Sequence, residues 1–162
     1  MSRFATQSPR AIGNSRHVGW TLFAAILLTI GGLVIATPTP AAAAKIDVRI
    51  DLSQQQMRVD VLGRSAYRWP ISTARPGYRT PTGTFRPIRL ERTWYSTIYD
   101  NAPMPYSIFF HGGYAIHGTT EISRLGRPVS HGCVRLHPDN ARALFNLVRR
   151  YGSANTRITI TR

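Results

Sequence analysis

The chain has 162 residues and one cysteine, so an internal disulfide is excluded and the length suits a single hydrophobic core. Lys and Arg number 21 against 7 Asp and Glu, a formal net charge of +14 that favours anionic partners. The basic residues are scattered along strand and loop patterns, with no helical basic stripe and no nucleic-acid motif, so nucleic acid is set aside in favour of carboxylate-rich cell wall or an anionic membrane face.

The first 44 residues read as an address. Arg3, Arg10, Arg16 and His17 form a positive leader, Val18 to Ala36 is an apolar run without a charge, and Thr37-Pro38-Thr39-Pro40 breaks it before four alanines. Ala42-Ala43-Ala44 offers a small-residue cleavage site before Lys45. Residues 1–44 are therefore expected to be a signal peptide or, uncleaved, an N-terminal membrane anchor, because the run sits at the lower edge of what spans a bilayer. In both cases residues 45–162 form one domain exported to the periplasm or cell envelope, with membrane contact only through an uncleaved leader. In an oxidising compartment a lone free thiol needs a chemical explanation.

From Lys45 the pattern becomes short alternating strands. Ile46, Val48 and Ile50 alternate with charged residues, and Met57, Val59 and Val61 do the same after Ser53 to Gln55, which predicts a hairpin. Ala66 to Ile71 predicts a third strand, and Pro76-Gly77 a turn. Thr80 to Phe85 resumes an extended chain in which Pro81 and Pro87 argue against a central position. Glu91 to Tyr106 has no clean periodicity and carries Trp94, Tyr95, Tyr99 and Tyr106, so it predicts a long loop, either functional or an aromatic cluster covering a sheet edge.

Ser107 to Phe110 and Tyr114 to Ile116 are two short apolar strands around His111-Gly112-Gly113, and they deliver His117 to a strand end. One helix follows His137-Pro138-Asp139-Asn140. It repeats Ala143, Leu144, Leu147 and Val148 at helical spacing, carries Arg149 and Arg150 in its last turn and stops at Gly152. Thr156 to Thr161 closes the chain as a strand with Ile158 and Ile160 on one face.

The densest chemistry lies in Ser130-His131-Gly132-Cys133-Val134-Arg135. A thiol attacks a carbonyl as thiolate, and with an ordinary pKa of about 8.5 it needs a base or a positive neighbour. His117 and His131 both qualify. His131 lies on the side of Cys133 if the segment is extended, unless Gly132 turns sharply, while His117 has to arrive by tertiary folding. Gly132 allows a substrate carbonyl to approach the backbone N–H groups of the turn, as an oxyanion hole requires. Arg135 offers a planar fork to a substrate carboxylate, or alternatively pairs with Asp139 and orders the loop. His111, His117, His131, Cys133 and His137 also raise zinc, but their spacing lacks the paired steps of zinc sites, so no metal is expected. His111 is read as a turn residue and His137 as a helix cap.

Together, Ile116-His117-Gly118-Thr119, Gly126-Arg127, Ser130 to Leu136 and the upstream Thr80-Pro81-Thr82-Gly83-Thr84-Phe85 resemble the catalytic YkuD domain of bacterial L,D-transpeptidases over the whole exported portion. The resemblance implies a mostly β fold, a mixed β-sandwich with one flanking helix near the C-terminus, acting on peptidoglycan peptide stems without a cofactor. It implies that Cys133 is the nucleophile that forms a thioester on a tetrapeptide stem, and that His117 is the general base, oriented by the Gly118 carbonyl. The backbone of His131, Gly132 and Cys133 would hold the oxyanion, and Arg135, Ser130 and Tyr114 would contact the donor. The acyl acceptor is left open between another stem, an outer-membrane protein, a free D-amino acid and water, and a non-catalytic wall-binding module is the rival from another class.

Overall fold

The computed structural model describes residues 44–162, so the leader expected over residues 1–44 lies, except for Ala44, outside the described residues. Among the described residues no helix is long and apolar enough to cross a membrane. The fold is mostly β, with two sheets and one long helix.

The expected hairpin is present as β1 (Ile46–Asp51) and β2 (Gln56–Val61), paired antiparallel with Val48 opposite Val59. Its turn is closed by Asp51, whose Oδ1 accepts from the Ser53 hydroxyl and the backbone N–H groups of Ser53 and Gln54. β3 (Arg64–Pro70) adds to β2, with a register shift between Val59 and Asp60. Ile71, expected in this strand, leaves the ladder and its N–H donates to the Gln55 carbonyl. The C-terminal strand, β9 (Thr156–Thr161), lies parallel to β1, and β4 (Gly83–Phe85) pairs antiparallel with β9 at the edge of the sheet. The sheet order is β3-β2-β1-β9-β4. Pro81 and Pro87 flank the edge strand, where a missing N–H costs no ladder bond.

The second sheet has the order β5-β6-β7-β8, from β5 (Arg89–Glu91), β6 (Ser107–His111), β7 (Tyr114–Gly118) and β8 (Val134–Leu136). β5 and β8 were not indicated by pattern, because three residues give at most one alternation. β8 runs parallel to β7, and the other neighbours are antiparallel. α1 (Pro138–Tyr151) starts where expected: the His137 ring nitrogen accepts from the Asp139 N–H at 3.3 Å, Pro138 opens the first turn, and Gly152 caps the end.

One core joins the layers. Ile46, Val48, Ile50, Met57, Val59, Ile158 and Ile160 from the first sheet meet Ile108, Phe110, Ile116, Val134 and Leu136 from the second, together with Leu144, Phe145 and Val148 of α1. The second sheet also has a small apolar cluster of Met104, Phe109 and Ala115, against which Trp94 and Cys133 pack. This second cluster supports the site.

Candidate active site

The register between β7 and β8 builds the site. Ile116 faces Val134 and Gly118 faces Leu136, and both Val134 and Leu136 are buried in the core. Side chains alternate along a strand, so His117 and its partner Arg135 turn to the opposite face, the face of Ala115 and Cys133. His117, Cys133 and Arg135 all line one cavity of about 350 Å³.

His117 is buried, and its Nδ1 lies 2.7 Å from the Gly118 carbonyl oxygen. A carbonyl only accepts, so Nδ1 carries the proton and the Nε2 lone pair is left for chemistry. Burial, and to a smaller degree the charge of Arg135, hold the imidazole at about 4 against an ordinary 6.5, although the Gly118 bond pulls the other way. Gly118 itself has little room: a Cβ there would lie 3.1 Å from both Pro105 Cγ and Pro138 Cα. Burial also pushes the Cys133 thiol up, while a backbone bond from Ala115 and the charge of Arg135 oppose it. Both shifts favour the uncharged forms, a neutral imidazole and a thiol.

The turn that presents Cys133 is tied on every side. Ser130 is 1% exposed, and its hydroxyl accepts from the Gly132 N–H at 3.0 Å and donates to the Cys133 carbonyl at 2.7 Å. Thr80, also buried, donates its hydroxyl to the Gly132 carbonyl at 2.8 Å and accepts from the Ala74 N–H. Ser72 exchanges two backbone bonds with Arg135, and Ser130 is bonded to Thr73 and Arg75. Gly132 has φ +135°, and a Cβ on it would meet Tyr114 Cε1 at 2.5 Å and the Arg79 carbonyl at 2.9 Å. Tyr114 thus packs over the turn as well as lining the cavity.

Gly132 does turn the chain sharply, and His131 lines the same cavity with its ring packed among aromatics. Its ring stacks on Tyr99 at 4.2 Å and 9°, with Tyr78 edge-on at 4.8 Å. Tyr99 belongs to the long segment after β5, which is an ordered, hairpin-like excursion: Tyr95 bridges Pro103, and Ser96 and Ala102 close it through backbone bonds. Trp94 packs edge-on against Phe109 beneath it. The residues of this segment divide: Trp94 packs on the sheet and Tyr99 lines the cavity.

One expectation changes. Asp139 binds Arg142, whereas Arg135 pairs with Glu121, Nη1 to Oε2 at 3.3 Å, so the local partner anticipated for Arg135 is replaced by one from the segment after β7. Glu121 sits two residues beyond Thr119 with no periodicity to mark it, and only the fold shows it against Arg135. Of the five residues that raised zinc, His117, His131 and Cys133 line the cavity, whereas His111 packs near Phe85 and His137 caps α1; among the described residues no group of three or more His, Cys, Asp or Glu is placed to hold a metal.

The profile of the L,D-transpeptidase catalytic domain, YkuD, matches residues 45–160. The chain belongs to that family. It is 26% identical over 119 residues to the YkuD protein of Bacillus subtilis (strain 168), covering 71% of this chain and 65% of that one. The fold superposes on an L,D-transpeptidase from Mycobacterium smegmatis with a TM-score of 0.65 at 22% identity, covering 74% of this chain and 59% of the other. It superposes on L,D-transpeptidase 3 from Mycobacterium tuberculosis, in complex with a faropenem-derived adduct, with a TM-score of 0.63 at 20% identity, covering 74% and 61%. The chain thus spans less than two thirds of the length of each of these relatives. Within the family match, Thr80 and Ser72 went unnoticed as supports of the cysteine turn, since threonine and serine in extended segments carry no distinctive signal.

Proposed function

We propose that the protein is a cysteine-dependent L,D-transpeptidase that acts on peptidoglycan tetrapeptide stems in the cell envelope. The observation that carries this reading is the convergence on one cavity of the only thiol in the sequence and a buried imidazole whose Nδ1 is already committed to Gly118. In the first half-reaction His117 Nε2 takes the Cys133 proton as sulfur attacks the carbonyl at the L-centre of the diamino acid. The tetrahedral intermediate collapses, the peptide C–N bond breaks, and the imidazolium returns its proton to the departing D-alanine amine. A thioester remains. In the second half-reaction an acceptor amine attacks that thioester, loses a proton to His117, and the thiol is restored.

The Gly132 N–H is engaged by Ser130, which leaves the amides of His131 and Cys133 as the proposed oxyanion donors. Ser130 then acts by shaping this turn more than by touching the donor. His131, clamped between Tyr78 and Tyr99, is proposed to hold the excursion against the cavity, while His117 serves as base. Residues 1–44 are proposed to export the domain, and N-terminal sequencing of the mature protein should begin at or near Lys45.

The M. tuberculosis relative carries a faropenem-derived adduct, which makes faropenem a suitable probe. The expected result is a single covalent adduct on Cys133 by mass spectrometry, lost in His117→Ala and retained in part in His131→Ala. With disaccharide-tetrapeptide muropeptides, D-alanine should be released and a cross-linked dimer formed. Release of D-alanine with tripeptide as the sole other product would instead make the enzyme a carboxypeptidase, and absence of both adduct and release would refute the reading.

A further inference from the structure

The strand registers of the first sheet draw one straight line of polar side chains across all five strands. Arg68 of β3 is opposite Arg58 of β2, Arg58 is opposite Arg49 of β1, Arg49 is opposite Thr159 of β9, and Thr159 is opposite Thr84 of β4. Directly paired residues share a face, and the sequence neighbours Met57, Val48 and Ile158 are core residues, so the whole line points away from the core. With strands about 4.8 Å apart, it is about 19 Å long. The three arginines and Thr84 are exposed. Like charges in direct cross-strand register repel one another, and the carboxylates of this face are engaged elsewhere. Asp47 accepts two bonds from Arg157 and one from Arg49, Asp60 takes the other Arg49 nitrogen, and Asp51 closes the hairpin turn. Among the described residues Arg58 and Arg68 make no side-chain hydrogen bond or ion pair.

The shape of this positive charge narrows the partner. Asp47 and Asp60, opposite each other in the register, stand on one side of the line, and Asp51 stands on the other. A broad anionic surface such as a membrane would press on those carboxylates together with the arginines. A polyanion one chain wide meets the guanidiniums and then the threonine hydroxyls, and leaves the carboxylates to either side. A phosphodiester carries its charge in the polymer backbone, so it fits between the acidic flanks, and its two free oxygens suit the planar fork of arginine. A polycarboxylate carries its charges on side groups that would spread toward Asp47 and Asp51. The face is also remote from the chemistry: the core separates it from the second sheet, whose far side bears the reactive cavity.

We propose that the outer face of the first sheet is a docking surface for a linear phosphodiester polymer. Arg68, Arg58 and Arg49 engage successive phosphates along the line, and Thr159 and Thr84 donate their hydroxyls to the continuation of the chain. The polymer holds the domain by one face while the cavity on the opposite face stays open. No residue of the cavity takes part, so this surface stands or falls apart from the transpeptidase reading.

Three probes test it: synthetic poly(glycerol phosphate), poly(glutamate), and vesicles of phosphatidylglycerol, which present the same phosphodiester as a surface. The unmodified protein should bind poly(glycerol phosphate) most tightly, with an affinity that falls as salt is added. Replacing both Arg58→Gln and Arg68→Gln should weaken that binding by about tenfold or more and make it less sensitive to salt, as expected for two lost charged hydrogen bonds. Replacing Arg149→Gln and Arg150→Gln in the last turn of α1 removes the same charge from another surface and should leave binding nearly unchanged. Melting temperatures verify that both double variants are folded. Equal weakening in the two double variants would overturn the proposal, because binding would then follow net charge and not the line. Binding to poly(glutamate) as tight as to poly(glycerol phosphate) would overturn the phosphodiester assignment, and tighter binding to the vesicles would make the partner a membrane. These two comparisons need only the unmodified protein. Absence of binding to poly(glycerol phosphate) at low salt would overturn the docking surface outright.

Discussion

At the scale of single residues, the site depends on a glycine and a histidine for separate physical reasons. Gly132 combines φ +135° with two close neighbours, one of them the backbone carbonyl of Arg79, which cannot swing aside as a side chain would. Gly132→Ala should lose about 1–3 kcal/mol of stability. Displacing the thiol should slow acylation by faropenem by about 100-fold even where the protein remains folded. Rate measured by mass spectrometry alongside a denaturant titration checks both figures. His117 makes a different demand, because a base held at about 4 stays neutral well below its ordinary 6.5. Protonated imidazole cannot accept the thiol proton, so the acylation rate should hold as pH falls through 6 and decline with a midpoint near 4. A midpoint well above 4 would show that His117 is not the base.

At the scale of elements, the cysteine turn is kept in place by segments far from it in sequence. Thr80, before β4, donates to the Gly132 carbonyl, and the Ser72 backbone brackets Arg135 at the other end of the turn. Thr80→Val preserves shape but strands the buried Gly132 carbonyl and the Ala74 N–H. The expected cost is about 1–3 kcal/mol in urea denaturation, together with slower acylation. A variant as stable and as fast as the parent would show that water replaces the hydroxyl.

These supports explain why legibility was uneven. The β1–β2 hairpin, β9 and the capped α1 were readable because each is specified by residues within a few positions of one another. The same holds for Cys133 and Gly132, which stand in one short run. β5 and β8 are too short to declare a period. The clamp around the turn joins residues 50 or more apart, as in Thr80 to Gly132, and no local pattern encodes such a contact.

At the scale of the whole molecule, the buried histidine ties stability to acidity. The unfolded chain takes up a proton on His117 near 6.5, whereas the folded protein does not until about 4, so between those values the unfolded state binds more protons and stability falls as pH falls. The full loss below pH 4 is about 3 kcal/mol. His131, also held below its ordinary value, first by burial and then by Arg75, acts in the same direction. Asp47, held down chiefly by the hydrogen bonds of Arg157, adds its own loss only below the ordinary 3.8, outside this window. Denaturant midpoints measured from pH 7 to pH 4 should therefore fall, and His117→Asn should flatten the decline without abolishing it. An unchanged slope in that variant would show that His117 titrates normally in the folded protein.

The sequence by itself determined a mostly β domain with one C-terminal helix, a single thiol placed beside a glycine, and the family resemblance that its motifs carry. These properties follow from periodicity, capping and short runs, all of which act between near neighbours. Tertiary structure decided the rest: which histidine is buried with its Nδ1 committed, that His131 stacks on Tyr99 with Tyr78 edge-on, and that Arg135 answers to Glu121 instead of Asp139. Each of these is a choice among partners of equal chemical aptitude. The choice was made by the parallel pairing of β7 with β8 and by the path of the excursion across the cavity, because desolvation and approach distance arise only when distant segments pack together.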